Sequence, residues 1–284
     1  MSTKIEWTEV TWNPVTGCTP VSPACEHCYA RRMAKRLAGR CGYPAVPHEF
    51  EVTLHPERLS EPLGWKKPRR VFVCSMGDLF HESVPFEYIA RVYGVMTLNQ
   101  QHTFQVLTKR PYRAVDFIHW AEDRYKFART PPPNIWLGAT IENQEQADKR
   151  IPALLQIPAA VRFVSVEPML GRLDLTRWLT ATTGQHWQEG HPESPYPERP
   201  GGYTEWWPCL NWVICGGESG PKARPMHPDW PRALRDQCEA AGVKFFFKKM
   251  GAAWSGETPP DLLVREYPAQ ADDDHNSPVT PPLF

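Results

Sequence analysis

The chain has 284 residues, with 32 Lys plus Arg against 32 Asp plus Glu, and a formal net charge of zero. That length suits one α/β barrel, and the balance of charge excludes a globally basic nucleic-acid coat, although local basic patches remain open. No apolar run approaches the roughly 20 residues of a membrane span and the polar N-terminus is no secretory signal, so the expectation is a cytoplasmic protein without a membrane partner, its eight cysteines reduced or metal-bound.

In chain order, Thr11 to Thr16 reads as a short strand that leads into a loop carrying Cys18, Cys25 and Cys28. A helix begins near Tyr29, with Ala30, Met33, Ala34 and Leu37 on one face, Arg31, Arg32, Lys35 and Arg36 on the other, and Gly39 at its end. The segment 42–68 is proline-rich and its periodicity predicts no element. Short apolar runs then recur at Val71–Cys74, Phe104–Leu107, Ile135–Ala139, Val161–Val164, Trp212–Cys215 and Val243–Phe247. Runs of this kind suit strands buried on both faces of a parallel sheet. Helical stripes separate them, at Phe86–Met96, Ala114–Ala121, Ala147–Leu155 and Asp229–Gly242, with Pro152 a kink or restart in the third. Alternating strands and helices mean a parallel α/β fold. Every strand delivers polar residues at its C-terminal end, which favours a partial or full parallel (β/α) barrel over an open sheet with one switch point. Cys74 and Cys215 lie inside apolar runs and read as small core residues. The Pro-, Gly- and Trp-rich stretch 180–208 reads as an insertion, and the acidic, proline-containing tail from about 268 as disordered.

The cysteines are the strongest chemical signal. Six residues separate Cys18 from Cys25 and two separate Cys25 from Cys28. A C-x-x-C pair lets two thiolates converge on one metal centre. A structural zinc site would need a fourth ligand, for which His27 and Cys41 are the candidates. An iron–sulfur cluster could use three thiolates and keep one iron open. The zinc alternative leads to a nucleic-acid-binding protein without catalytic activity.

Three closely spaced cysteines after the first strand resemble the radical SAM superfamily. More narrowly, Trp12 to Cys18 together with Cys25 to Ala30 resembles the three-Cys-motif, radical-SAM-like proteins of phage and bacterial genomes, whose function is uncertain. Further matching stretches are Ser75–His81, Leu107–Pro111, Ser165–Pro168 and Gly216–Gly220. The spacing of six departs from the three residues found in most of that superfamily, and His27 stands where it has an aromatic residue.

The resemblance implies a TIM-like barrel of the radical SAM type over residues 1–251, with 252–284 a C-terminal extension. It implies a [4Fe-4S] cluster on Cys18, Cys25 and Cys28, with S-adenosyl-L-methionine on the open iron, cleaved reductively to a 5′-deoxyadenosyl radical. An electron donor, and in some such systems a partner protein, would complete it. It places Ser75 and Asp78 at the methionine amino group and Thr140 and Glu142 at the ribose. The alternative for Asp78 and Glu142 is a place at a helix start. Glu167 and Glu218 stand at later strand ends as further cofactor contacts, although Gly216 to Gly220 also reads as a tight turn. Lys109 and Arg110, directly after a strand, would meet a phosphate or carboxylate of an unidentified substrate. Basic residues interleaved with aromatics point to a nucleic acid or nucleotide as that substrate, and read otherwise as a solvated charged face.

Overall fold

The computed structural model describes residues 3, 5–125, 131–180 and 209–269. The insertion expected at 180–208, beyond its first residue, and the tail from 270 lie outside the described residues. In chain order the elements are β1 (Val10–Trp12), β2 (Val15–Thr16), α1 (Tyr29–Leu37), β3 (Thr53–Leu54), β4 (Arg70–Val73), α2 (Phe86–Leu98), β5 (Thr103–Thr108), α3 (Pro111–Tyr125), β6 (Ile135–Thr140), α4 (Gln144–Leu155), β7 (Val161–Val166), α5 (Thr176–Leu179), β8 (Trp212–Cys215), α6 (Asp229–Ala241) and β9 (Lys244–Phe247). The first strand is interrupted at Asn13-Pro14, because Pro14 has no N–H for a ladder. α4 runs through Pro152, and Asn143 caps it by accepting from the Gln146 N–H.

Seven strands form one sheet in the order β1-β4-β5-β6-β7-β8-β9, and every pairing is parallel. The order runs in one direction with no switch point, so crossovers of one hand lay α2 to α6 on one face. The side-chain clusters agree: buried residues of α2 to α6 share a core with Val71, Val73, Val106, Leu137, Val164, Val213 and Phe247. The opposite face carries Phe72, Trp136, Phe163, Trp212, Ile214 and Phe246, with no helix among them. Strict alternation along each strand sorts the two sets.

This second face has to be covered by the strands' own aromatics and by segments from outside the sheet. Trp7, which precedes β1, packs against Phe72 of β4 at 4.7 Å, Phe163 of β7 at 6.5 Å and Trp212 of β8 at 6.4 Å between ring centroids. One ring reaches strands that far apart only if the sheet curves around it. The sheet is nevertheless open, with β1 and β9 at its edges, so closure into a full barrel is not what the described residues form. The segment 264–267 spans the gap: Phe247 donates its N–H to Val264 O and Glu266 its N–H to Phe245 O, while Arg265 pairs with Glu6 and Tyr267 donates its hydroxyl to Glu6 O. Residues read from sequence as an extension therefore cover the β9 edge and tie it to the chain before β1.

The stretch without a predicted element, 42–68, contains β3, which pairs antiparallel with β2, and short turns around a buried His55. Among the described residues no helix is long and apolar enough to cross a membrane.

Gly138 sits on the aromatic face, where a Cβ would lie 2.5 Å from the Phe163 ring. Gly138→Ala is expected to cost about 1–3 kcal/mol by overpacking, read by urea unfolding, and less in a Phe163→Leu background, where the ring is gone. Equal costs in the two backgrounds would mean that the ring is not the obstacle.

Candidate metal centre

Because the sheet is parallel, all its C-terminal strand ends open on one edge, and the cysteine loop lies across that edge. The loop leaves β2 at Gly17, whose φ is +82° and whose Cβ would lie 2.0 Å from Glu51 O. Only glycine fits there. Gly17 donates its N–H to Met76 O and Cys18 its N–H to Phe50 O. The loop ends at Cys28, the residue that precedes the first turn of α1.

Three carboxylates fasten the span between. Asp78, after β4, accepts from Thr108 Oγ1 at 2.7 Å, the Phe80 N–H at 3.0 Å, the Lys109 N–H at 3.1 Å and Arg110 Nη1 at 3.2 Å. Arg110 reaches on to the loop, donating to Cys18 Sγ at 3.4 Å and to Thr19 O and Oγ1 at 3.1 and 3.0 Å. Glu142, after β6 and fully buried, accepts from the Ala24 N–H at 3.1 Å and from Arg150 Nη1 at 3.0 Å. Glu218, after β8, accepts from the N–H, Nε and Nη2 of Arg224 and bonds His27 Nδ1 at 3.1 Å. Arg224 in turn donates to Pro23 O and to Glu26. Thus Cys18–Thr19, Ala24 and His27 are each held by a separate carboxylate system.

Electrostatics differ between the thiols. Burial and the Asp78 charge push Cys18 up to about 11, against the pull of Arg110. Burial also pushes Cys25 up, but the Lys109 charge and hydrogen bonds from the Val21 and Ser22 backbone outweigh it and leave the thiol below its ordinary value. Burial likewise pushes Glu218 up, yet hydrogen bonds from Arg224 and His27 bring its carboxyl down to about 2. All three loop cysteines are free and half-buried.

Donors to a single ion must come within about 4 Å of one another. Among the described residues no group of three or more His, Cys, Asp and Glu could hold a metal ion. The proposed fourth ligands for zinc are also otherwise placed, since His27 gives Nδ1 to Glu218 and Cys41 is exposed beyond α1. A cluster makes a different demand, because each thiolate binds its own iron. Three free thiols on one anchored loop are of the donor type that such a cluster takes.

The expected site residues all lie at the strand ends, but in different roles. Asp78, Glu142, Glu218 and Arg110 make hydrogen bonds that position the loop. Ser75 donates its hydroxyl to Asn13 Oδ1. Thr140 contributes its carbonyl to Arg150. Glu167 accepts from Trp7 Nε1 and Ser165 Oγ at 3.2 Å each and pairs with Lys248 at 2.9 Å. Lys109 places its charge on Cys25. Sequence reasoning missed Arg150, Arg224 and His81, whose Nε2 bonds Thr19 Oγ1 at 2.9 Å. Arg150 left a legible sign, a charge on the apolar stripe of Ala147, Ile151 and Leu154; Arg224 left none.

Residues 2–273 match the family described as "Protein of unknown function (DUF5131)". The chain belongs to this family. No curated protein and no solved structure matches it. Membership of DUF5131 over almost the whole chain corrects the resemblance to the radical SAM superfamily and its three-Cys-motif proteins. The motifs behind that resemblance are cysteines and polar residues at the ends of parallel strands, a pattern that strand–helix repetition offers to unrelated families.

Two outcomes follow from the anchoring in this DUF5131 chain. Glu142→Ala leaves Arg150 buried without its partner and is expected to cost about 3–5 kcal/mol, with faster labelling of Cys25 by a thiol reagent; unchanged labelling would detach Glu142 from the loop. Glu218 has a depressed folded-state carboxyl, so its stabilisation is complete above the ordinary 4.5 and is lost as pH falls towards about 2. Acid unfolding of Glu218→Gln should accordingly show a shallower loss over that window than the parent protein.

Proposed function

We propose that this protein holds a [4Fe-4S] cluster on Cys18, Cys25 and Cys28 and cleaves S-adenosylmethionine reductively, acting on a substrate of the nucleic-acid or nucleotide class. The observation that carries the reading is the loop itself: three free thiols, anchored at three points over the strand ends of a curved parallel sheet. Such a cluster, when bound, supplies one electron and an iron without a protein thiolate, to which an amine and a carboxylate can attach.

The chain's own residues supply position and charge. Arg110 keeps Cys18 in place while the Lys109 ammonium favours the thiolate of Cys25. Tyr29, next to the third cysteine, ties α1 to the sheet through Ser75 O. Glu167 and Lys248 present an ion pair at the same edge, beside Ser165, and with Thr140 they are the polar groups we assign to the cofactor. The open sheet then serves as a partial (β/α) barrel, with the aromatic face as its floor. The electron donor is external.

Protein purified without oxygen is expected to contain about four irons per chain with sulfide, and visible absorption that dithionite bleaches. Supplied with reductant and S-adenosylmethionine, it should form 5′-deoxyadenosine. Cys25→Ala should lose both the iron and that product; full product formation by Cys25→Ala would overturn the proposal. Both neighbouring bases should affect the cluster, to different degrees: Arg110→Ala lowers iron content because Cys18 loses its anchor, and Lys109→Ala lowers it less, because Cys25 loses only a favourable charge.

A further inference from the structure

A cleft of about 920 Å³ opens beside Cys18, between α1 and the segment 46–52. Its walls combine three chemistries. Arg31 and Lys35, four residues apart on the exposed side of α1, supply two cations. Phe50 supplies an aromatic ring, and the Arg31 guanidinium lies over it at 5.5 Å. Glu49, a residue only 7% exposed, supplies a carboxylate.

Glu49 is the anomaly. Its Oε2 is buried and has no hydrogen-bond partner. A buried carboxylate oxygen without a donor is costly, and Asp78, Glu142 and Glu218 of the same protein all have donors. Arg31 and Lys35 line the same cleft without an ion pair to it among the described residues. The wall therefore asks for N–H donors next to a flat ring surface, with cations close by for an anion.

We propose that this cleft binds a guanine nucleotide. The N1–H and N2–H of guanine form an adjacent donor pair that a carboxylate accepts with both oxygens. The base stacks on the Phe50–Arg31 surface, and the phosphate meets Lys35 and Arg31. Adenine, cytosine and uracil lack that donor pair. The cleft includes Cys18, so this names the substrate class for the site proposed above. It rests on that reading for its catalytic meaning but not for binding.

The test is titration of the full-length protein with GMP, IMP, AMP, guanosine and a short single-stranded oligonucleotide containing one guanine. GMP is expected to bind saturably and at least tenfold more tightly than IMP, which lacks the 2-amino group. Glu49→Gln should remove that preference, and Lys35→Ala should weaken GMP while leaving guanosine unchanged. Binding of the oligonucleotide well above that of GMP would assign the guanine to a strand; the reverse would assign a free nucleotide. No saturable binding of GMP or the oligonucleotide up to millimolar concentration overturns the proposal. So does an equal preference for GMP in Glu49→Gln protein with a native circular dichroism spectrum. If Glu49→Gln does not fold, the GMP-to-IMP ratio of the parent and the Lys35→Ala comparison decide. Cys25→Ser protein should bind GMP as the parent does, so failure of the cluster and failure of the nucleotide site give different results.

Discussion

A carboxylate taken out of water needs donors around it, or it costs several kilocalories per mole. Asp78, Glu142 and Glu218 sit at three separate strand ends and are all buried. Each meets the requirement by recruiting an arginine and, directly or through that arginine, a group on the loop 18–28. The loop has little regular structure of its own, a two-residue strand before it and one 3-10 turn within it. Its shape is therefore imposed by polar groups of the sheet edge. The backbone positions of the loop that carries Cys18, Cys25 and Cys28 are set by these three systems.

The sheet beneath sets where those carboxylates can stand. Sequential parallel strands put every helix on one face and leave the other to the aromatics of the strands. Trp7, held through its indole to Glu167, links this aromatic face with the mouth above it. The gap between β1 and β9 is spanned by 264–267 and not by further pairing between those two strands. Curvature is thus obtained without closure.

Much of the fold was legible. The apolar runs at 71–74, 104–107, 135–139, 161–164 and 212–215 each correspond to a strand, since a strand buried on both faces must be apolar throughout. The helical stripes fell in the right gaps for the same reason of burial. The segment 42–68 was not legible, because β2 and β3 are two residues each and short pairs have no period. Nor was the role of 264–267, which has no apolar pattern and acts through main-chain bonds to β9 and side-chain bonds to Glu6. At the site, the type of residue and its place at a strand end could be read, but its partner could not. Asp78, Glu142 and Arg110 read as contacts for a cofactor or substrate, but their protein partners, Thr108, Arg150 and the loop 18–24, could not be read.

By itself the sequence determined that this is a strand–helix repeat with a parallel sheet, that its cysteines lie together on a loop after the first strand, and that polar residues end every strand. Those features follow from local pattern and chain order, which bonding between distant residues does not change. Only the tertiary structure decided that the sheet stays open and that the strand-end carboxylates face arginines and not solvent. It also decided that Glu49 is buried without a donor beside the cleft. These depend on which side chains from remote parts of the chain arrive at the same place. Burial and pairing of charges are properties of that arrangement, and no single segment encodes them.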